Sequence, residues 1–103
     1  IVTYHPTTVD YDATQASIIS LTHNFAREFS PHILVNCVCP GFIQSKRSDK
    51  MAIEEIQKRE EHILLRRFGK ASEVAKVVVF LASSKASYIN DSIIRVDGGR
   101  LYE

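Results

Sequence analysis

A chain of 103 residues, 45% hydrophobic and 24% charged, has the composition of one small globular domain. Its net charge of +1, with Lys and Arg scattered among acids, excludes the electrostatic footprint of a nucleic-acid or acidic-membrane binder. No apolar run is long enough to cross a bilayer and no secretory signal is visible, so the expected location is cytoplasmic.

The opening "IVTYHPTTVD" carries β-branched residues and a proline and reads as a strand end or loop. A helix is predicted from Asp12 to Phe29, because Ile18, Leu21, Phe25 and Phe29 recur at spacings of three and four. Ile19 and Ala26 widen the stripe, which predicts cover on more than one side, and Pro31 stops the helix. "ILVNCVC", Ile33–Cys39, is apolar except for Asn36 and reads as a strand buried on both faces, the pattern of a parallel sheet. Cys37 and Cys39 lie two apart, so both point to one side of that strand. With no CxxC and no nearby His cluster, they read as free thiols in a reducing compartment, and no metal site is expected.

"PGF" ends the strand, and "IQSKRSDK" reads as loop. "MAIEEIQKREEHILLRR" predicts a second helix, with Ile53, Ile56, Ile63 and Leu64 as an incomplete apolar stripe. Glu54–Lys58 and Glu55–Arg59 supply favourable pairs on its wet side. "SEVAKVVVFLASS" predicts a third helix that turns Val74, Val77, Val78 and Leu81 inward, and "SIIRVDGG" a last strand closed by a glycine turn. His5, His23, His32 and His62 are dispersed, without evident partners, and read as surface residues. Helix, buried strand, helix, helix, strand is an α/β order. Two strands make a poor sheet alone, and the chain begins at Ile1 rather than Met. The expectation is therefore a piece of a longer protein, residues 1–103 being part of one domain.

Five motifs stand in register: Tyr11-Asp12-Ala13-Thr14-Gln15; Asn36-Cys37-Val38-Cys39-Pro40-Gly41; Arg67-Phe68-Gly69 with Glu73-Val74-Ala75; Phe80-Leu81-Ala82-Ser83-Ser84; and Val96-Asp97-Gly98-Gly99. Together they resemble the C-terminal half of a short-chain dehydrogenase/reductase, most like its 3-oxoacyl-[acyl-carrier-protein] reductase members. The resemblance implies the C-terminal part of a Rossmann-like, doubly wound parallel sheet, its last two strands being Ile33–Cys39 and Ile93–Val96. It implies an oxidoreductase that moves hydride between NADP or NAD and a carbonyl or alcohol carbon, on a small carbonyl or acyl-thioester substrate. It also implies a homo-oligomer formed through the helix from residue 12 to residue 29, a region whose wide apolar face points the same way.

By this resemblance Tyr11 stands where the family keeps its proton donor and acceptor, and Gln15 stands at the position of the catalytic lysine. A free phenol has a pKa of about 10, too high for easy proton exchange at neutrality. A cation roughly 4 Å away, at an effective dielectric of about 20, favours phenolate by about 4 kcal/mol, or roughly three pKa units. Glutamine can donate to a ribose hydroxyl but carries none of that charge. Asp12, if close, pushes the phenol the other way. The plainer reading of Tyr11 is a residue packing at a helix start.

Backbone groups near Pro40, Gly41 and Ile43 are implied to meet the nicotinamide carboxamide. Ser45 stands where the family often has threonine, with a hydroxyl for carboxamide or phosphate. The plainer reading is a simple Pro-Gly turn. The segment from Ser45 to Leu65 corresponds to the family's substrate lid. The four glycines, Gly41, Gly69, Gly98 and Gly99, make no GxxxGxG, and no Ser precedes Tyr11. The pyrophosphate turn and catalytic serine of the family are thus not among these residues. A second reading follows from Gln15: a non-catalytic remnant or pseudoenzyme serving as an oligomerisation or interaction module.

Overall fold

The computed structural model describes residues 9–101, with side chains from Ala13 onward. Its elements run α1 (Val9–Phe29), β1 (Cys37–Pro40), α2 (Lys46–Asp49), α3 (Ile53–Glu60), α4 (Ala71–Leu81), a 3-10 turn (Ser84–Ala86) and β2 (Ile93–Val96). β1 and β2 pair in parallel, Cys37 opposite Ile93 through Pro40 opposite Val96. A parallel pair needs a long crossover, and α2, α3 and α4 provide it. The α/β class and parallel pairing agree with the sequence reading.

α1 begins one turn earlier than expected, at Val9. Its polar residues fold back on the helix: the Ser17, Thr22 and Asn24 side chains donate to the carbonyls of Ala13, Ile18 and Ser20. Thr22 and Ala26 are its buried residues, small enough to let α1 approach the β1 layer. The large residues do not follow them inward. Ile18, Leu21, Phe25 and Phe29 remain 43–48% exposed, with the Phe25 and Phe29 rings 5.7 Å apart. α4 repeats the pattern, since Val74, Val77 and Leu81 are half-buried but Val78 is 49% exposed, contrary to its expected inward place.

Two further boundaries differ from expectation. β1 keeps only the end of the predicted Ile33–Cys39 strand, and Ile33 and Leu34 are exposed. The reason lies in Asn36 and Asn90. Val35 N donates to Asn90 Oδ1, Asn36 Nδ2 donates to Ile89 O, and Asn36 Oδ1 accepts from Ser92 N. These side-chain bonds replace ladder bonds around a turn in which Asp91 takes φ 56, so regular pairing starts only at Cys37 N to Ser92 O. Aspartate tolerates this positive φ better than most residues. His23, expected to lack a partner, pairs through Nδ1 with Asp91 Oδ1 and ties α1 to the same turn.

The second helix ends at Glu60, not Arg67. Ile63 fits the helical spacing, yet it is the largest fully buried side chain (1% exposed). It reaches that place because the backbone leaves the helix: Leu64 N and Leu65 N donate to Gly99 O and Gly98 O, and Leu101 N to His62 O. The predicted glycine turn is found, with Gly98 and Gly99 in the left-handed region at φ of 63 and 79. The predicted loop also contains α2, which Ser45 caps.

Among the described residues the buried apolar set is small: Ala26, Cys37, Ile63, Phe68 and Ala86. The radius of gyration is 15.5 Å. A compact domain of this length has about 13 Å. Among the described residues no helix is long and apolar enough to cross a membrane.

Candidate functional site

The loop that leaves β1 is built by close contact with the end of β2. Gly41 N donates to Val96 O at 3.0 Å. A Cβ on Gly41 would lie 2.5 Å from the Asp97 Cβ, so only glycine lets the two strand ends meet here. Asp97 is held in turn: its Oδ1 accepts from Gly99 N at 3.0 Å and its Oδ2 from Arg95 Nε at 2.8 Å. Two residues on, the loop pairs with the segment before α4. Gly69 N donates to Phe42 O at 2.9 Å and Gln44 N donates to Gly69 O at 2.8 Å. In such a bridge the middle residue faces its own N–H and C=O the other way. Neither backbone group of Ile43 takes part in a hydrogen bond among the described residues.

Ser45 closes the loop by capping α2, its Oγ accepting from Ser48 N at 3.3 Å, while Ser45 N donates to Ser48 Oγ at 2.8 Å. The Ser45 hydroxyl hydrogen is left to donate elsewhere. Phe42, between Gly41 and Ile43, stacks on Phe68 with centroids 5.4 Å apart. Beneath the loop lies a cavity of about 50 Å³, bounded by Phe42, Ile43, Arg67, Asp97 and Gly98. That holds a water or two, not an aromatic ring. Arg67 and Glu73 separate it from an open polar groove of about 440 Å³ that also meets Gln44, Lys70, Ser72 and Lys76.

The Arg67–Glu73 contact is bidentate, at 2.8 and 3.0 Å, and Lys70 N also donates to Glu73. The Arg67 hydrogen bonds, then the Lys70 amide, draw the Glu73 carboxyl down to about 2. A depressed acid contributes stability above its unfolded pKa and loses it as pH falls through the folded one, here between about 4.5 and about 2. Carboxyl NMR should therefore give Glu73 a midpoint near 2, and Arg67→Gln should return it toward 4.5. An unchanged midpoint in that variant would remove Arg67 as the cause.

Cys37 and Cys39 are free, with sulfurs 3.8 Å apart on one side of β1. Burial, then the adjoining Cys37 thiol, push the Cys39 thiol up, so it stays protonated at neutrality. A protonated Cys39 is a poor nucleophile.

Pro40 ends β1, and Gly41, Ile43 and Ser45 share the loop that follows, which the structure brings against Gly69 and Asp97. Gln15 is exposed on α1. Tyr11 lies one turn before it on the same helix, its side chain outside the described residues. Sequence reasoning gave Arg59 only its pair with Glu55, which is found, and gave Phe42 and Arg100 no role beside the loop. The Arg67…Glu73 pair was within reach, since both lie in one of the quoted motifs.

Comparison with known proteins matches residues 2–100 to the family model described as enoyl-(acyl carrier protein) reductase. The chain is 46% identical over 92 residues to 3-oxoacyl-[acyl-carrier-protein] reductase FabG of Aquifex aeolicus, covering 88% of this chain and 37% of that protein. It is 38% identical over 96 residues to the enzyme of the same name from Thermotoga maritima, covering 92% and 39%. Among solved structures, a 3-oxoacyl-[acyl-carrier protein] reductase from Brucella melitensis superposes with a TM-score of 0.86 at 31% identity, covering 89% of this chain and 35% of that one. A short-chain dehydrogenase/reductase from the same organism gives 0.85 at 31%, covering 96% and 40%. The chain therefore spans well under half the length of the relatives it matches.

Proposed function

Because the chain belongs to the short-chain dehydrogenase/reductase family, we propose that it forms the C-terminal part of an NAD(P)-dependent oxidoreductase of the carbonyl or 3-oxoacyl reductase type. The observation that carries this reading is Ile43. Its N–H and C=O, both unpaired among the described residues, match the acceptor and donor of a carboxamide. Gly41 and Gly69 fix the backbone on either side, so the pair of groups is held before a ligand arrives. Ser45 caps α2 with its lone pair and keeps its proton for a cofactor oxygen. These residues fit the nicotinamide end of NADP or NAD, whereas the pyrophosphate turn must come from residues outside this chain. The bound nicotinamide would supply or accept hydride.

Tyr11 is assigned the proton, given to or taken from a small carbonyl or acyl-thioester substrate, and Gln15 the hydrogen bond to the ribose. The exposed face of Ile18, Leu21, Phe25 and Phe29 supports a homo-oligomer through α1, and the free cysteines support a cytoplasmic setting. One observation favours a second reading, a non-catalytic remnant: the absence of charge at Gln15.

The test joins this chain to the N-terminal portion of the Aquifex aeolicus reductase, of whose length the chain matches only 37%. The chimera should bind NADPH or NADH saturably, as read by quenching of nicotinamide fluorescence. A folded chimera that binds neither would overturn the cofactor reading. Binding without any carbonyl reduction, even after charge is restored at position 15, would leave the remnant.

A further inference from the structure

Phe42 is where three separate parts of the chain converge on the β1 loop. Phe68, before α4, stacks on its ring at 5.4 Å. The Arg100 guanidinium, just past β2, lies 4.0 Å from the ring centre, and that of Arg59, in the last turn of α3, lies 4.9 Å from it. α3 needs such a tether, because none of its residues is buried and Ile53 is 70% exposed. An amphipathic helix with no buried side chain is poorly fixed by apolar contact. Arg59 also pairs with Glu55, 2.8 Å away along the same helix, a contact between two exposed side chains. The planar guanidinium combines charge with stacking on an aromatic face, which an ammonium does only in part.

We propose that Arg59 and Arg100 are positioning residues: seated on the Phe42 ring, they hold the Gly41–Ile43 backbone in place and tether α3 beside it. Neither touches the reacting atoms. They act through Phe42, whose backbone carbonyl takes the Gly69 hydrogen bond that fixes Ile43. The role in cofactor binding rests on the functional reading above, but the coupling between α3 and the loop does not.

Hydrogen exchange on the 103-residue chain, at submicromolar concentration, separates the two. Arg59→Ala should speed exchange at the Gln44 and Gly69 amides, remote in sequence, by about two- to fivefold, together with the α3 amides. Glu55→Gln, which removes only the helix pair, should leave the Gln44 and Gly69 amides unchanged. Arg59→Lys should fall between wild type and Ala. Faster exchange confined to α3 in Arg59→Ala would overturn the proposal, since a mere loss of helix stability would do that. In the chimera, Arg59→Ala should weaken NADPH binding by a similar factor. If the chimera binds no NADPH while the loop amides still respond, the functional reading fails and the coupling stands.

Discussion

Gln15→Lys, placed in the chimera with the N-terminal part of the Aquifex aeolicus enzyme, is expected to raise carbonyl reduction by roughly two to three orders of magnitude. Positions 11 and 15 both lie within the α1 helix, one turn and about 6 Å of rise apart. Residue 15 thus shares a helix face with position 11. The lysine charge favours phenolate, so the sign is a lowered tyrosine pKa and a rate profile that moves to lower pH. A full three-unit shift would give about a thousandfold if the rate followed proton availability entirely, and partial proton transfer reduces that. The substitution is also safe for the fold, because residue 15 is exposed. Two measurements read it: kcat with a 3-oxoacyl thioester, and the pH at which kcat falls by half. Equal rates and equal profiles for the Gln and Lys forms would mean that Gln15 is not the limiting defect. A higher kcat with no movement of the profile would point to ribose positioning instead of charge.

How far the sequence carried this reading depends on whether a feature was local. α1 and α4 were legible because their apolar spacing and stop signals lie within the segments themselves, and the glycine turn at Gly98-Gly99 because φ above zero restricts residue choice. β1 was overextended because apolar character at Ile33 and Leu34 carries no information about Asn90, whose amide captures the Val35 N–H from 55 positions away. α3 was overextended for a related reason: Ile63 satisfies a helical period and equally well satisfies burial under the Gly98-Gly99 turn. His23 lacked a visible partner because Asp91 is distant in sequence. The site divides the same way. Pro40 and Gly41 were readable from their own chemistry, whereas Phe42 gains its role only when Arg59, Phe68 and Arg100 are brought to its ring.

Gly41→Ala should lower stability by about 3 kcal/mol. The new Cβ would sit 2.5 Å from the Asp97 Cβ and 2.7 Å from its Cα, and neither atom can swing away as the end of a side chain can. Asp97 cannot retreat cheaply either, since Gly99 N and Arg95 both hold its carboxylate and its side chain is 6% exposed. Relief requires parting the ends of β1 and β2, which breaks the Gly41–Val96 hydrogen bond, worth about 1 kcal/mol, and loosens the Pro40–Val96 register. Gly69→Ala is the matched control. Its Cβ meets the Ile43 Cδ1 at 3.0 Å, a methyl that rotates aside for about 1 kcal/mol, and lies in ordinary contact with Phe42 O at 3.8 Å. In a chain of this size each kcal/mol moves the melting midpoint by roughly 4–8 °C. The two alanine variants should therefore differ by about 10 °C or more, Gly41→Ala melting lower. In the chimera Gly41→Ala should also weaken NADPH binding, because the backbone displaced is the one that leads into Ile43. Melting midpoints that coincide for the two variants would show that the β1 and β2 ends are not in the contact on which the loop is built.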